Sequence, residues 1–147
     1  MKNFSCVFRI GFQDTDSTGR VYFPNYVRWF DMALIEFLRQ NNIVFDQVGR
    51  LFMDGKTSNN SFVIGEYGCR IEKPSRYDEL VEAFVESAEI RNKSVKVMFR
   101  LENTEHEVLA KGFITYVYID TEQGRAEELP EIFRKIFKTL NNSSPKT

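Results

Sequence analysis

Histidine is nearly absent from this chain, because only one of its 147 residues, His106, is a histidine. It stands between Glu105 and Glu107 in a polar segment, where we expect a solvated loop side chain. Ser-His-Asp catalysis, Cys-His catalysis and histidine-rich zinc sites are therefore not expected. If the protein is an enzyme, a carboxylate must carry the proton transfer or the nucleophilic attack.

Cysteine, excess charge and long apolar runs are also scarce. The two cysteines, Cys6 and Cys69, have neither the spacing of metal ligands nor that of a disulfide framework, so we expect both to be reduced and buried. A net charge of −1 gives no reason to expect a nucleic-acid partner. No stretch has the length of a membrane span or the pattern of a signal peptide, so the sequence predicts a cytoplasmic protein without a membrane partner. No metal or cofactor is expected.

The spacing of apolar residues predicts an α+β fold. We expect a single domain over residues 1–140 and a polar tail at 141–147. Alternation of period two predicts strands over residues 4–12, 63–71, 80–88, 95–101 and 108–120, and helical spacing predicts helices from Pro24 to about Asn41 and over residues 130–140. Strands that follow one another in the chain, with the helices set apart, indicate an antiparallel sheet, in which we expect the last four strands to form a meander.

Two segments carry more detailed expectations. In the strand at 63–71, Val63 is expected on the same face as Tyr67, Cys69 and Ile71. Residues 44–60 show a weaker pattern that ends in a polar loop, and we expect them to shape an apolar pocket.

The first helix is apolar around most of its surface. Pro24 suits its first turn, since proline has no N–H to leave unpaired there. Tyr26, Trp29 and Phe30 belong to this surface and are candidates for lining a pocket or an interface, although aromatic residues at helical spacing are more often core. Because charged residues interrupt the surface only rarely, we expect the sheet to enclose this helix.

An acidic turn, Asp14-Thr15-Asp16, stands a few residues before that helix. A helix N-terminus presents free N–H groups and the positive end of the helix dipole, which can hold an oxygen that gains charge. A carboxylate beside it can attack the polarised carbon or activate a water. Other interpretations remain: both aspartates can satisfy backbone N–H groups of the turn. Calcium binding is disfavoured because Asn25 stands where a calcium loop has its bidentate glutamate.

The stretch D-T-D-S-T-G-R-V-Y-F-P-N-Y-V-R-W-F-D, from Asp14 to Asp31, resembles the signature of hotdog-fold acyl-CoA thioesterases of the 4-hydroxybenzoyl-CoA thioesterase type. The resemblance implies a five-stranded antiparallel sheet wrapped around one long central helix. It also implies hydrolysis of an acyl-CoA or acyl-carrier-protein thioester by a homo-oligomer, a dimer or a tetramer.

The same resemblance implies roles for single residues. Asp16 corresponds to the catalytic carboxylate, and the backbone N–H of Phe23 to the donor that holds the thioester oxygen. Gly19 permits the close approach of the two, and Asp14 and Tyr26 support the turn. Many relatives have histidine at position 23, so this departure brings the chain closer to the 4-hydroxybenzoyl type.

A second match concerns coenzyme A. Arg91, Lys93 and Ser94 resemble a basic stretch that contacts the phosphates and the pantetheine arm, and the alternative is an ordinary charged strand end. Two other functions also remain open. A hotdog dehydratase or hydratase would need a catalytic histidine, for which His106 is badly placed, whereas a non-catalytic acyl-thioester binding protein could carry the same motif.

Overall fold

The computed structural model describes residues 4–142 of the chain. A short 3₁₀ helix, Phe12–Asp14, precedes the first α-helix. The strands and helices, numbered in chain order, are β1 (Phe4–Arg9), α1 (Pro24–Gln40), β2 (Ile43–Phe45), β3 (Leu51–Met53), β4 (Lys56–Thr57), β5 (Asn60–Ile71), β6 (Leu80–Ile90), β7 (Ser94–Glu102), β8 (Val108–Asp120), β9 (Arg125–Ala126) and α2 (Glu131–Asn142).

The main sheet is antiparallel throughout. Its strands follow the order β1-β6-β7-β8-β5, and the two-residue strand β9 pairs with β8. The five long strands match the five predicted from the sequence. Strands β6, β7 and β8 pair in chain order, but β5 pairs with β8 and not with β6, so the prediction that the last four strands form a meander is wrong. Strand β5 lies at one edge of the sheet.

Helix α1 begins at Pro24 and ends before Asn41, as predicted. Its buried side chains include Trp29 and Phe30, which are 2% and 0% exposed. The Trp29 ring stacks on Phe8 at 6.5 Å between centroids, and Phe30 stacks on Phe99 at 5.0 Å. These two aromatic residues are therefore core, and the alternative that they line a pocket is not needed.

Helix α2 packs its apolar side against β6, with Phe133 and Phe137 buried. The Asn141 side chain donates to the carbonyl of Ala88 and accepts from its N–H, both at 2.8 Å. Residues 141 and 142 of the expected polar tail belong to α2, and residues 143–147 lie outside the described part of the chain. No helix in that part is both long and apolar enough to cross a membrane.

Strand β5 departs from the sequence prediction because its register shifts between Ile64 and Glu66, a β-bulge. The extra residue turns Val63 away from the face that carries Tyr67 and Cys69 and puts Ile64 there instead. Cys69 is exposed and Cys6 is half-buried, so the prediction that both cysteines are buried is wrong. Both are free thiols.

Residues 43–57 form a small antiparallel sheet, with β3 between β2 and β4. The polar loop expected at the end of the weaker segment is shorter than predicted, because β4 occupies Lys56–Thr57 and β5 already begins at Asn60. Strand β9 was not predicted, since two residues carry no alternation to recognise.

Candidate active site

The turn that carries Asp16 is a tight hairpin. Thr15 and Val21 pair as an isolated antiparallel bridge, and the Asp16 N–H donates to the carbonyl of Arg20 at 2.8 Å. The Gly19 N–H closes the turn on the carbonyl of Asp16 at 3.0 Å. Gly19 has a φ of 79°, a conformation that suits glycine, so the need for glycine here is conformational.

Asp16 itself is exposed, and its carboxylate is held within the turn. Its Oδ1 accepts hydrogen bonds from the N–H of Thr18 at 2.8 Å and from the Thr18 hydroxyl at 2.6 Å. These bonds, the hydroxyl's first, lower the pKa of Asp16 below its ordinary value. The group is therefore an ionised carboxylate at neutral pH, available as a nucleophile or as a base.

Asp14 has a different environment, since it is only 5% exposed. Its carboxylate accepts hydrogen bonds from the Gly11 N–H at 2.8 Å and from Arg28 Nη2 at 2.7 Å. Its carbonyl accepts from the Tyr22 N–H at 2.8 Å and from Asn25 Nδ2 at 2.9 Å. Asp14 thus connects the strand end, the turn and the first turn of α1, and these contacts hold the turn in place.

The N-terminus of α1 leaves one donor unused. Proline at position 24 has no N–H, and the N–H groups of Asn25 and Tyr26 donate to the carbonyls of Tyr22 and Phe23 at 2.9 and 3.3 Å. For the Phe23 N–H, residues 4–142 provide no acceptor. A free N–H at the positive end of a helix dipole is a donor for an oxygen that gains charge.

Two cavities adjoin at this helix start. The first, which we call the polar cavity, has a volume of about 340 Å³ and is lined by Asp16, Arg20, Tyr26 and Lys73 among others. The second, the apolar cavity, has a volume of about 440 Å³ and is lined by Phe23, Pro24, Val27, Arg28, Asp31, Ile64, Tyr67, Cys69 and Ile71. Ile71 lines both cavities, which therefore meet between α1 and β5.

A half-buried carboxylate on α1, that of Asp31, was not singled out from the sequence. Asp31 Oδ1 accepts a hydrogen bond from the Tyr116 hydroxyl at 2.9 Å. Burial raises the pKa of Asp31, and burial together with the Asp31 charge raises the pKa of Tyr116 well above its usual range. Asp31 lines the apolar cavity and also a third one of about 270 Å³, which we call the inner cavity. The sequence signal that could have identified Asp31 was a charged residue on an otherwise apolar helix face.

The inner cavity also involves the segment that follows α1. Phe45 and Gly49 line it together with Ser61 and Phe62 of β5. The expectation that residues 44–60 shape an apolar pocket agrees with this position.

The predicted coenzyme A residues do not lie near Asp16 within one chain. Arg20 and Val21 pair with residues 75–76, just before β6 begins, whereas Arg91 directly follows its end. About ten residue steps along a strand correspond to roughly 33 Å. Arg91 forms an ion pair with Glu89 at 3.2 Å, and its N–H donates to the carbonyl of Ser94 at 2.9 Å. Lys93 lies in the same hairpin.

The fold and the site together define a class. A curled antiparallel sheet and a C-terminal helix are features of the hotdog-like thioesterase fold. A family model described as the thioesterase-like superfamily matches residues 10–137. The chain belongs to the thioesterase-like superfamily.

Known proteins agree with that membership. The acyl-CoA thioester hydrolase YbgC of Escherichia coli O157:H7 is 26% identical over 130 residues, which cover 88% of this chain and 92% of that protein. Among solved structures, the gentisyl-coenzyme A thioesterase BH1999 has a TM-score of 0.72 and 24% identity, with 88% of this chain and 98% of that chain covered. The 1,4-dihydroxy-2-naphthoyl-CoA thioesterase Slr0204 of Synechocystis has a TM-score of 0.79 and 15% identity, with 95% and 98% covered.

The resemblance drawn from residues 14–31 is thereby confirmed, and so is the enzyme class, a thioester hydrolase. The fold prediction is confirmed as a hotdog-like antiparallel sheet with packed helices.

Proposed function

We propose that the protein hydrolyses an acyl-CoA thioester, with Asp16 and the N–H of Phe23 as its reacting groups. The observation that carries the proposal is the pairing of an ionised carboxylate with an unused helix N-terminal donor at the junction of two cavities. The thioester carbonyl oxygen accepts the Phe23 N–H, and charge that develops on that oxygen is stabilised there.

Asp16 acts in one of two ways. As a nucleophile it attacks the carbonyl carbon, the carbon–sulfur bond breaks, and the thiolate leaves. The acyl group remains on Asp16 as a mixed anhydride, which water then hydrolyses. As a general base it removes a proton from a water that attacks the same carbon. Both routes consume one water and release a carboxylic acid and a thiol. An acyl-carrier-protein thioester would react in the same way, so the carrier is a further part of the proposal.

The competing functions have less support. A dehydratase or hydratase needs a histidine, and His106 is an exposed residue of the β7–β8 hairpin that pairs with Glu102 at 3.5 Å. It lines a separate cavity of about 240 Å³, which contains none of the residues proposed to react. A non-catalytic binding protein would show the same geometry, and turnover distinguishes it.

The test is release of thiol from a panel of acyl-CoA and acyl-carrier-protein thioesters. The Asp16→Asn variant is expected to lose roughly 10²-fold or more in kcat. Asp46→Asn is the matched control, because Asp46 also accepts a turn N–H, that of Val48 at 3.0 Å, and also receives a glycine N–H on its carbonyl, from Gly49 at 3.0 Å. Asp16→Asn turnover within a few-fold of wild type would sink the mechanism, and no release from any thioester would favour a binding role.

For the acyl group we propose a ring that carries a hydroxyl. Asp31 presents a carboxylate between the apolar and inner cavities, about 12 Å along α1 from Phe23, since eight residues rise 1.5 Å each. A hydroxyl that donates to Asp31 would add a second donor to this half-buried carboxylate, which already accepts a hydrogen bond from Tyr116. The names of the two structural neighbours, gentisyl and dihydroxynaphthoyl, describe acyl groups of this kind.

Paired substrates test the acyl proposal. Wild type is expected to prefer hydroxybenzoyl-CoA to benzoyl-CoA, because only the hydroxylated acyl group adds a hydrogen bond to the Asp31 carboxylate. Asp31→Ala should abolish the preference by slowing the hydroxylated substrate. A preference that survives in Asp31→Ala would contradict the role of this residue.

We further propose a homo-oligomer, a dimer or a tetramer, in which Arg91, Lys93 and Ser94 of one copy contact coenzyme A bound at Asp16 of another. Two observations support it: these residues lie at the far end of β6 from Asp16, and β5 is an edge strand whose exposed residues include Val63 and Tyr67.

Mixing two inactive variants tests a shared site. Asp16→Asn and Arg91→Ala proteins, each weak alone, should regain roughly a quarter of wild-type activity after their subunits exchange, since only hybrid dimers hold an intact site. Light scattering measures the assembly itself. A monomer, or a mixture that regains nothing, would contradict the proposal.

The remaining expectations stay proposals as well. We propose that α1, a helix of 17 residues that packs on β1 and on β5–β8, is the long central helix of the hotdog. We propose that residues 1–140 form one domain, which limited proteolysis would test, and that the protein acts in the cytoplasm, which cell fractionation would test.

A further inference from the structure

Two exposed aromatic residues lie side by side next to the candidate active site. Phe12 and Tyr77 are 76% and 56% exposed, and their rings meet edge to face at 5.8 Å between centroids. Rings so exposed bury little apolar surface, so the fold gains little from them. Adjacent exposed apolar side chains at a defined position are a typical sign of a binding surface.

The backbone under these two rings is well fixed. The Ile10 N–H donates to the carbonyl of Glu79, and the Asp78 N–H donates to the carbonyl of Ile10, both at 2.9 Å. Phe12 and Tyr77 stand at the ends of these paired segments. The aromatic pair is therefore a preformed feature of the surface.

Two arginines continue from the aromatic pair to the turn of Asp16. Arg76 precedes Tyr77 and pairs with Arg20 as an isolated antiparallel bridge. Its Nη1 lies 4.0 Å from the place where a Cβ on Gly19 would stand, so the guanidinium reaches the turn. Within residues 4–142, neither Arg20 nor Arg76 forms an ion pair with an acid.

Most acidic groups nearby are already engaged in ion pairs, and the Glu79 carboxylate accepts the backbone N–H of Arg76 at 2.9 Å. Glu72 pairs with Arg70 at 3.5 Å, and Glu107 pairs with Lys73 at 2.7 Å. Asp78 pairs with Arg9 at 3.4 Å. Arg76 has no ion-pair partner within the described residues, and the charge of Arg20 contributes to the lowered pKa of Asp16. Two guanidinium groups beside an exposed aromatic pair match a ligand that has an aromatic base at one end and phosphates next to it.

We propose that Phe12, Tyr77, Arg76 and Arg20 bind the nucleotide end of coenzyme A on the chain that supplies Asp16. The adenine stacks on the exposed Tyr77 and Phe12 rings, the 3′-phosphate contacts Arg76, and the pantetheine arm crosses the polar cavity past Arg20. The inference rests on the proposed function and deepens it, since it names the residues that bind the nucleotide of coenzyme A.

The test compares one acyl group on three carriers: coenzyme A, dephospho-coenzyme A and pantetheine. Tyr77→Ala should raise KM roughly tenfold for both nucleotide carriers, with kcat nearly unchanged, and leave the pantetheine thioester unaffected. Arg76→Ala should raise KM for acyl-CoA more than for the dephospho thioester, which lacks the 3′-phosphate. Tyr77→Phe keeps the ring and should keep the wild-type KM.

Matched controls separate recognition from damage to the fold. Arg39→Ala removes an exposed guanidinium at the far end of α1 and should change no KM. Thermal unfolding should show all of these variants folded. An equal rise in KM on all three carriers, or no rise on any, would overturn the inference.

The pantetheine thioester also distinguishes this inference from the proposed function. If wild type hydrolyses it and Tyr77→Ala leaves the KM for acyl-CoA unchanged, only the nucleotide site is refuted. If wild type hydrolyses none of the three, the thioesterase assignment to Asp16 fails and the nucleotide site fails with it. A KM that rises for an acyl-carrier-protein thioester but not for acyl-CoA would assign the surface to a protein and refute the inference.

Discussion

Replacement of Arg28 by alanine tests how the acidic turn is supported. Asp14 is 5% exposed and its carboxylate has two donors in the described structure, Arg28 Nη2 and the Gly11 N–H. The Arg28→Ala variant leaves Oδ1 of the buried Asp14 carboxylate without its donor. Removal of one partner from a fully buried ion pair costs about 3–5 kcal/mol. The Arg28 side chain is 48% exposed, so water can replace part of the bond, and we expect a loss of about 1–3 kcal/mol.

Urea unfolding measures this loss as a lower midpoint at an unchanged slope. Arg39→Ala is the control, because Arg39 pairs with Glu36 at 3.3 Å on the surface and should cost no more than about 0.5 kcal/mol. In the double variant with Asp14→Asn, the two losses should fall short of additivity by about 1 kcal/mol or more. Equal midpoints for Arg28→Ala and Arg39→Ala would refute the reasoning.

Three further changes have defined outcomes. Burial raises the folded-state pKa of Asp31, so the folded protein loses stability as pH rises through that pKa. Asp31→Asn should therefore be more stable than wild type at pH 7, and the difference should shrink in acid. Urea unfolding at several pH values measures this difference. Gly112→Ala places a Cβ 2.4 Å from a backbone oxygen of β5 and should cost about 3 kcal/mol or prevent folding, which thermal unfolding would detect. Asn141→Ala removes both bonds to Ala88 and should cost about 1–2 kcal/mol, whereas Asn142→Ala should cost almost nothing in the same assay.

The parts of the fold that follow from local rules were predictable. Pro24 and the helical spacing after it set the start of α1, and simple alternation set β6 and β7. Which residues of β5 share a face was not predictable in the same way. One extra residue near Gly65 reverses the alternation, and the sequence pattern does not show it. Cys69 is exposed because the face that carries it borders the apolar cavity, and no local signal reports what lies opposite a strand.

The residues of the candidate site also differ in whether the sequence alone could predict them. The turn from Asp14 to Phe23 is contiguous in sequence, so its residues and their order could be read from the chain. The hydrogen bond between Asp31 and Tyr116 joins residues 85 positions apart, and the contact between Phe12 and Tyr77 depends on the pairing of two loops. Pairs of this kind arise from tertiary packing, which a single sequence does not reveal.

Ile71 borders both cavities, and this position bears on how such a protein can change over time. The reactive turn depends on residues 14–25, whereas the opposite wall of the apolar cavity is built from side chains of β5. Substitutions on that wall alter the shape of the apolar cavity and leave the hydrogen bonds of the turn intact. A scaffold of this kind can therefore change which group its cavity admits within a lineage while the turn that carries Asp16 is inherited unchanged.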